Sequence, residues 1–197
     1  ENSQRGDSSV IYVLSDIHGN ERRVNSILKQ INLQNEDTLY ILGDVIDRHP
    51  DGIRILRKIM SMPNVKMLLG NHEYMMLRAL GHPYDPYDTT SELIQEDAME
   101  LWYHNGGKVT HDHWKHLRKA LRREIIEYLL ALPLNIDIDV NGTAHKLVHG
   151  APMDEYMNYP GNPDPTHFAV WKRWRRYDTF SGDFTMIFGH TPTKYYQ

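Results

Sequence analysis

The chain has no cysteine, so it can form no disulfide and offer no thiolate, and any metal it holds must sit among carboxylates, amides and imidazoles. No run of about 18 apolar residues is present. The N-terminal stretch ENSQRGDSS lacks an apolar signal core, and these two absences fit a cytoplasmic protein with no membrane partner. Residues 1–9 read as a disordered lead or expression remnant. No repeat or low-complexity tract divides the rest, so 10–197 is expected to form a single domain. Positive charge is also in short supply: 22 Lys and Arg against 26 Asp and Glu give a formal net charge of −4. A protein that grips nucleic acid by neutralising phosphates is thereby disfavoured, and any anion site must be local.

What the chain does have is metal-ligating residue types placed just past strand-like runs. Val10 to Leu14, Thr38 to Leu42, Val65 to Leu69, Lys146 to Val148 and Phe184 to Phe188 read as strands buried on both faces. They lead into Ser-Asp-Ile-His-Gly-Asn (15–20), Gly-Asp-Val-Ile-Asp-Arg (43–48), Gly-Asn-His-Glu (70–73), Val-His-Gly (148–150) and Gly-His-Thr-Pro (189–192). Val24, Ile27, Leu28 and Ile31 mark a helix that Asn20 can cap; Ile53, Leu56, Ile59 and Met60 mark a second, with Pro63 past its end. The fold class is therefore α/β, opening on a parallel β-α-β-α-β sheet whose C-terminal edge can gather residues distant in sequence.

The middle of the chain differs. Gly81 to Thr90 reads as a loop, and Ser91 as the cap of a helix with Leu93, Ile94, Ala98 and Leu101. A turn is expected at Asn105-Gly106-Gly107. Trp114, Leu117, Leu121, Ile125, Tyr128 and Leu132 stripe one long helix ending before Pro133, so that 91–132 forms a helical cap. Alternation from Leu134 to Val140 before Asn141-Gly142 signals a hairpin, and the second half is expected to be more antiparallel. The proline-rich stretch 151–165 reads as a loop that could shape a substrate groove.

The blocks suit hydrolysis of a phosphate ester. Two divalent ions about 3.5 to 4 Å apart can share a hydroxide and bring the pKa of water towards about 7. Asp44 is the natural bridge, since its two oxygens can face different ions. Asp16 and His18 can serve one ion; Asn71, His149 and His190 can serve the other, a mixed set suited to manganese, iron or zinc. Two carboxylates against two dications leave the centre positive and attractive to phosphate. His72 is the candidate general acid, with Asp47 as its orienting anion. Arg48 offers a planar fork to two phosphate oxygens, and a second clamp is expected from Trp171-Lys172-Arg173.

Together these blocks resemble the calcineurin-like metallophosphoesterases from Val10 to Thr191, and within them the metal-dependent serine/threonine phosphoprotein phosphatases of the compact bacterial and phage type. The resemblance implies a two-sheet sandwich flanked by helices. It implies Asp16, His18 and Asp44 on the first metal, and Asp44, Asn71, His149 and His190 on the second. It further implies His72 as acid, Asp47 as its partner, and Arg48 with Arg173 as phosphate clamps, Lys172, Arg175 and Arg176 competing for the second place. The activity implied is in-line attack by a hydroxide bridging the two ions, manganese foremost, on a phosphorylated protein or small phosphomonoester.

Asp47, Glu73 and the absence of a second histidine at Pro192 favour that branch. The alternative within the fold is a symmetrical dinucleoside tetraphosphate hydrolase, and the alternative of another class is a catalytically silent phosphate-binding regulatory module. His49 stands where relatives usually have glycine. The chain stops seven residues after His190, where relatives continue with another strand or two, which raises the expectation of a truncated C-terminus. Two conspicuous clusters carry no function in this reading. His111, Asp112, His113 and His116 sit beside lysines on the cap and read as a solvated helix face. The run Trp171 to Arg176, for all its interleaved tryptophans, reads as phosphate-binding rather than nucleic-acid-binding.

Overall fold

The computed structural model describes residues 9–82, 84, 92–159, 161 and 164–196, with the main chain alone at 92–96 and 195–196. The expected Ser91 cap, most of the 81–90 loop and the 1–8 lead lie outside these residues.

Strands β1 (Ile11–Leu14), β2 (Thr38–Ile41) and β3 (Val65–Met67) form a parallel sheet in that order. Helix α1 (Glu21–Ile31) joins the first two strands and α2 (Gly52–Met60) the second and third. Asn20 caps α1 as the sequence suggests, its side-chain oxygen accepting the Arg23 N–H at 3.0 Å. Burial is fullest on the central strand; β1 is only partly covered, with Ile11 40% exposed, so the sequence overstates its coverage.

The second sheet contains β4 (Asn135–Val140), β5 (Thr143–Val148) and β6 (Thr185–Phe188). Asn141 and Gly142 both take positive φ, 54° and 79°, which is the backbone a two-residue hairpin requires. Among the described residues, the expected antiparallel character holds for that hairpin alone. β5 and β6 are parallel, because the chain between them runs through a 3-10 stretch (Met153–Asn158) and α7 (Pro165–Trp171) before returning.

Tyr40, Leu42, Leu68 and Leu147 pack with Val13, Ile136, Ile138 and Ile187, drawn from both sheets. The larger core joins the first sheet to the helices, including α3 (Asn71–Ala79) and α6 (Lys119–Leu130). A third cluster sets Met186 and Phe188 of β6 against Phe168 and Trp174. Alternation along β6, with Ile187 in one cluster and its neighbours in another, is the period-2 signature of a strand covered on both faces.

The cap contains α4 (Glu92–His104) and α5 (Lys108–Trp114), separated by the expected turn at 105–107. Its single long helix is corrected to two: α5 ends at Trp114 and α6 begins at Lys119, with Arg118 extended between them at φ −65°, ψ 147°. Trp114, Ile125 and Leu132 still enter one core. An apolar stripe reports a shared face, not an unbroken axis. Among the described residues no helix is long and apolar enough to cross a membrane.

Candidate metal centre

The loops that follow the strands are bonded to one another before any side chain is considered. Asp16 N–H donates to the Gly43 carbonyl at 3.3 Å, His18 N–H to the Asp44 carbonyl at 2.9 Å, and Gly189 N–H to the His149 carbonyl at 3.0 Å. Two glycines permit this approach. A Cβ on Gly43, where φ is +88°, would lie 2.5 Å from the Gly70 Cα, and one on Gly70 would lie 2.3 Å from Asp44 N and Oδ1. Of the eight described non-glycine residues with positive φ, six are Asp16, His18, Asp44, Asp47, Arg48 and His190. Strained backbone is thus concentrated at the convergence of these loops, as it is in sites where side-chain aim outranks local stability.

Two buried donor sets share one carboxylate. His18, Asp44 and His72 each offer an atom within 4.8 Å of the others, and so do Asp44, His149 and His190. Asp44 Oδ2 lies 3.7 Å from His18 Nε2, while Oδ1 lies 3.4 Å from His149 Nε2. Its oxygens therefore face different histidines, as a bridging role requires. Oδ1 also accepts the His72 N–H at 3.0 Å, in the first turn of α3. Asn71 Oδ1 is 2.9 Å from His149 Nε2, completing the second set. Asp16 Oδ1 stands 3.8 Å from His18 Nε2, and its Oδ2 accepts from the Ser15 hydroxyl and the His190 N–H. The sequence did not place His72 on the rim of the first set.

Ring tautomers favour metal binding at His18 and His149. Nδ1 of His18 donates to the Ile46 carbonyl at 3.3 Å and Nδ1 of His149 to the Leu42 carbonyl at 2.5 Å, which leaves each Nε2 lone pair aimed inwards. Charge follows the same division. Burial, then His72 and Arg48, push His18 down to about 3; burial, then His149 and Arg173, do the same to His190, and burial lowers His149. His72 goes the other way. Burial opposes its charge, but the hydrogen bond to Asp47 and the charges of Asp44 and Asp47 hold it above the ordinary value. Three neutral rings able to ligate thus surround one ring able to carry a proton. The donor set fits a pair of divalent ions of the borderline kind.

Asp47 is fully buried, and its Oδ2 accepts both His72 Nδ1–H at 2.7 Å and Trp102 Nε1–H at 2.8 Å. Arg48 Nη2–H donates to His72 Nε2 at 3.2 Å. Arg173 Nε lies 3.3 Å from His190 Nε2, whereas Lys172 is drawn off to Asp178 at 2.5 Å and lies over the Tyr159 and Trp174 rings. Of the two, Arg173 is the one directed at the centre. His49, in place of the expected glycine, donates from Nδ1 to the His18 carbonyl at 2.8 Å and so braces the first loop. The 111–116 histidines form no metal-capable set among the described residues; Asp112 there pairs with Lys108 and Lys115.

Two supporting groups escaped the sequence reading. Glu73 carried only a family resemblance there. In the fold its buried carboxylate accepts four backbone N–H groups: Oε1 from Val45 at 2.8 Å and Ile46 at 3.3 Å, Oε2 from Asp44 at 2.9 Å and Gly70 at 3.2 Å. It clamps the Asp44 loop to the start of α3. Glu73→Gln replaces one acceptor oxygen by a donor and leaves two N–H groups facing it, so it is expected to lower the unfolding free energy by about 2 to 4 kcal/mol. Denaturant titration checks this; an unchanged midpoint would remove the clamp. Trp102, the other group, carried no signal beyond a helical apolar position.

Fold and centre together define an α/β protein with two buried donor sets that share the Asp44 carboxylate. The model of the calcineurin-like phosphoesterase family matches residues 9–197, and the chain belongs to that family. It is 36% identical over 95 residues to a symmetrical bis(5'-nucleosyl)-tetraphosphatase of Proteus mirabilis (strain HI4320), a match covering 46% of this chain and 35% of the relative. A protein of the same name from Pectobacterium atrosepticum is 37% identical over 95 residues, covering 46% and 34%. These matches span about a third of each curated relative. Among solved structures, a metallophosphoesterase from Sphaerobacter thermophilus is 18% identical with a TM-score of 0.47, covering 84% of this chain and 50% of that one. The curated relatives thus carry the name of the alternative substrate class, not of the protein phosphatases put first by the sequence reading.

Proposed function

We propose that the chain is a metal-dependent phosphoester hydrolase, with a symmetrical dinucleoside tetraphosphate as the substrate its curated relatives favour. The observation that carries the activity is Asp44, whose two oxygens face separate histidine-lined sets beside the His72–Asp47 pair. Asp16, His18 and Asp44 would hold one divalent ion, and Asp44, Asn71, His149 and His190 the other. When bound, such a pair supplies a deprotonated water at neutral pH and offsets the charge of the phosphate oxygens.

The protein does the rest. Arg48 and Arg173 approach from opposite histidines and orient the phosphoryl group. His72 keeps one proton on Nδ1 against Asp47; Nε2, which accepts from the Arg48 guanidinium in this structure, is the atom that would take up a second proton and deliver it to the departing oxygen once Arg48 turns to the phosphate.

One observation favours a second reading. A phosphoanhydride releases a nucleotide that needs little protonation, whereas a serine or threonine alkoxide needs it badly. A buried acid pair such as His72–Asp47 therefore suits a phosphomonoester, including a phosphorylated protein. Turnover with manganese of diadenosine tetraphosphate, a phosphoserine peptide and p-nitrophenyl phosphate separates the readings. Faster cleavage of the dinucleotide supports the first, faster cleavage of the peptide the second; two bound ions with no turnover of any would overturn both. Arg48→Ala is expected to raise KM for the preferred substrate about 10- to 100-fold; an unchanged KM would take Arg48 out of phosphate binding.

A further inference from the structure

Three contacts from a single segment of the helical cap converge on Asp47 and Arg48. Trp102 Nε1–H donates to Asp47 Oδ2 at 2.8 Å, the Thr110 hydroxyl oxygen accepts the Asp47 N–H at 3.0 Å, and the Gly106 carbonyl accepts the Arg48 N–H at 3.1 Å. All the side chains involved at Trp102, Thr110 and Asp47 are buried, at 0%, 2% and 0% exposure. Asp47 and Arg48 both have positive φ, at 70° and 67°, a conformation disfavoured for non-glycine residues that these contacts help to hold.

Asp47 is bonded asymmetrically. Oδ2 takes both the His72 and Trp102 donors, while Oδ1 is buried with no hydrogen-bond partner among the described residues. No hydrogen bond among the described residues holds the carboxylate from the Oδ1 side. The indole N–H, which can only donate, is what fixes Oδ2 towards the ring. Gly107 lets the indole sit there, since a Cβ at that position would lie 2.3 Å from Trp102 Cδ1.

We propose that Trp102 is a positioning residue for proton delivery: its indole locks the Asp47 carboxylate, and through it the His72 ring, with Thr110 fixing the Asp47 main chain. This rests on His72 acting as the acid, and so on the phosphomonoester reading of the site. The helical cap is then a structural part of the catalytic apparatus, and the spacing Trp102-x3-Gly106-x3-Thr110 is the sequence trace of that role.

The test uses the manganese-loaded full chain and two phosphomonoesters with different leaving groups. Trp102→Phe is expected to lower kcat on a phosphoserine peptide about tenfold while p-nitrophenyl phosphate, whose phenolate leaves readily, changes less than about twofold, with KM and bound manganese unchanged. In the His72→Asn background the same substitution is expected to add no further loss. Should Trp102→Phe fold poorly, Thr110→Val, nearly equal in volume, is expected to show the same leaving-group selectivity. Equal losses on both substrates, or losses additive with His72→Asn, would overturn the proposal.

A readout independent of turnover is the downfield proton resonance of His72 Nδ1–H in the magnesium-loaded protein. It is expected in the wild type and broadened by exchange in Trp102→Phe; an unaltered resonance would contradict the lock. If His72→Asn itself proves indifferent to leaving group, the acid reading fails and the catalytic role of Trp102 fails with it, while the resonance still reports whether the indole orders the pair.

Discussion

Replacing His72 by Asn is expected to lower kcat on a phosphoserine peptide by about 10²- to 10⁴-fold, the range general acid catalysis covers, while both bound ions are retained. The ring is fully buried and is anchored by Asp47 on Nδ1, with Arg48 and Asp44 near Nε2. Asn preserves much of the volume and some hydrogen bonding but cannot deliver a proton. Loss on p-nitrophenyl phosphate should be much smaller, because its leaving group stands alone. Metal content measured beside turnover separates the two roles open to this residue. If manganese is lost with activity, His72 is a ligand of the first set, where its Nε2 lies 3.9 Å from Asp44 Oδ2, and not the acid.

Asp44→Asn has the other large effect. It should abolish the second ion and lower activity more than about a thousandfold, since replacing even an outer partner of a metal ligand commonly costs 10- to 100-fold and Asp44 is shared by both sets. Stability should respond in the opposite direction when metal is absent. Burial, reinforced by Glu73 and Asp16 though opposed by His72, raises the Asp44 pKa well above the ordinary carboxylate value. Above about pH 4 the unfolded chain gives up this proton while the fold retains it, so the group's contribution to stability falls as pH rises towards the folded pKa. Asn carries no charge and escapes that loss. In chelator at pH 7, Asp44→Asn is therefore expected to melt above the wild type, and with manganese below it. A variant that melts lower in both conditions would contradict a carboxylate buried for the sake of cations.

Most of what positions the centre was legible because strand and turn chemistry is local. Asn141-Gly142 announces its hairpin, Asn20 its helix, and the five blocks their strand ends. The broken helix at 115–118 was not, since its apolar stripe continues through the break into one core. Convergence was legible only as order along the chain. Nothing in the sequence distinguishes Trp102 from any other core tryptophan; its bond to Asp47 spans 55 residues and exists only once the cap is folded. The choice between Lys172 and Arg173 is not legible for a similar reason: they are neighbours, and only the position of Asp178 and the Tyr159 and Trp174 rings draws the lysine away. Substrate class is the least legible feature, because the donors proposed for cations and phosphate would be shared by every ester such a centre could cleave.

Asp44, with one oxygen towards each histidine-lined set, is expected to join two cation sites into one. Manganese titration followed by electron paramagnetic resonance tests it directly. Two manganese ions per wild-type chain with the exchange-coupled spectrum of a bridged pair are expected, and in Asp44→Ala at most one ion with an uncoupled spectrum. A single uncoupled ion in the wild type, or an intact coupled pair in Asp44→Ala, would contradict it.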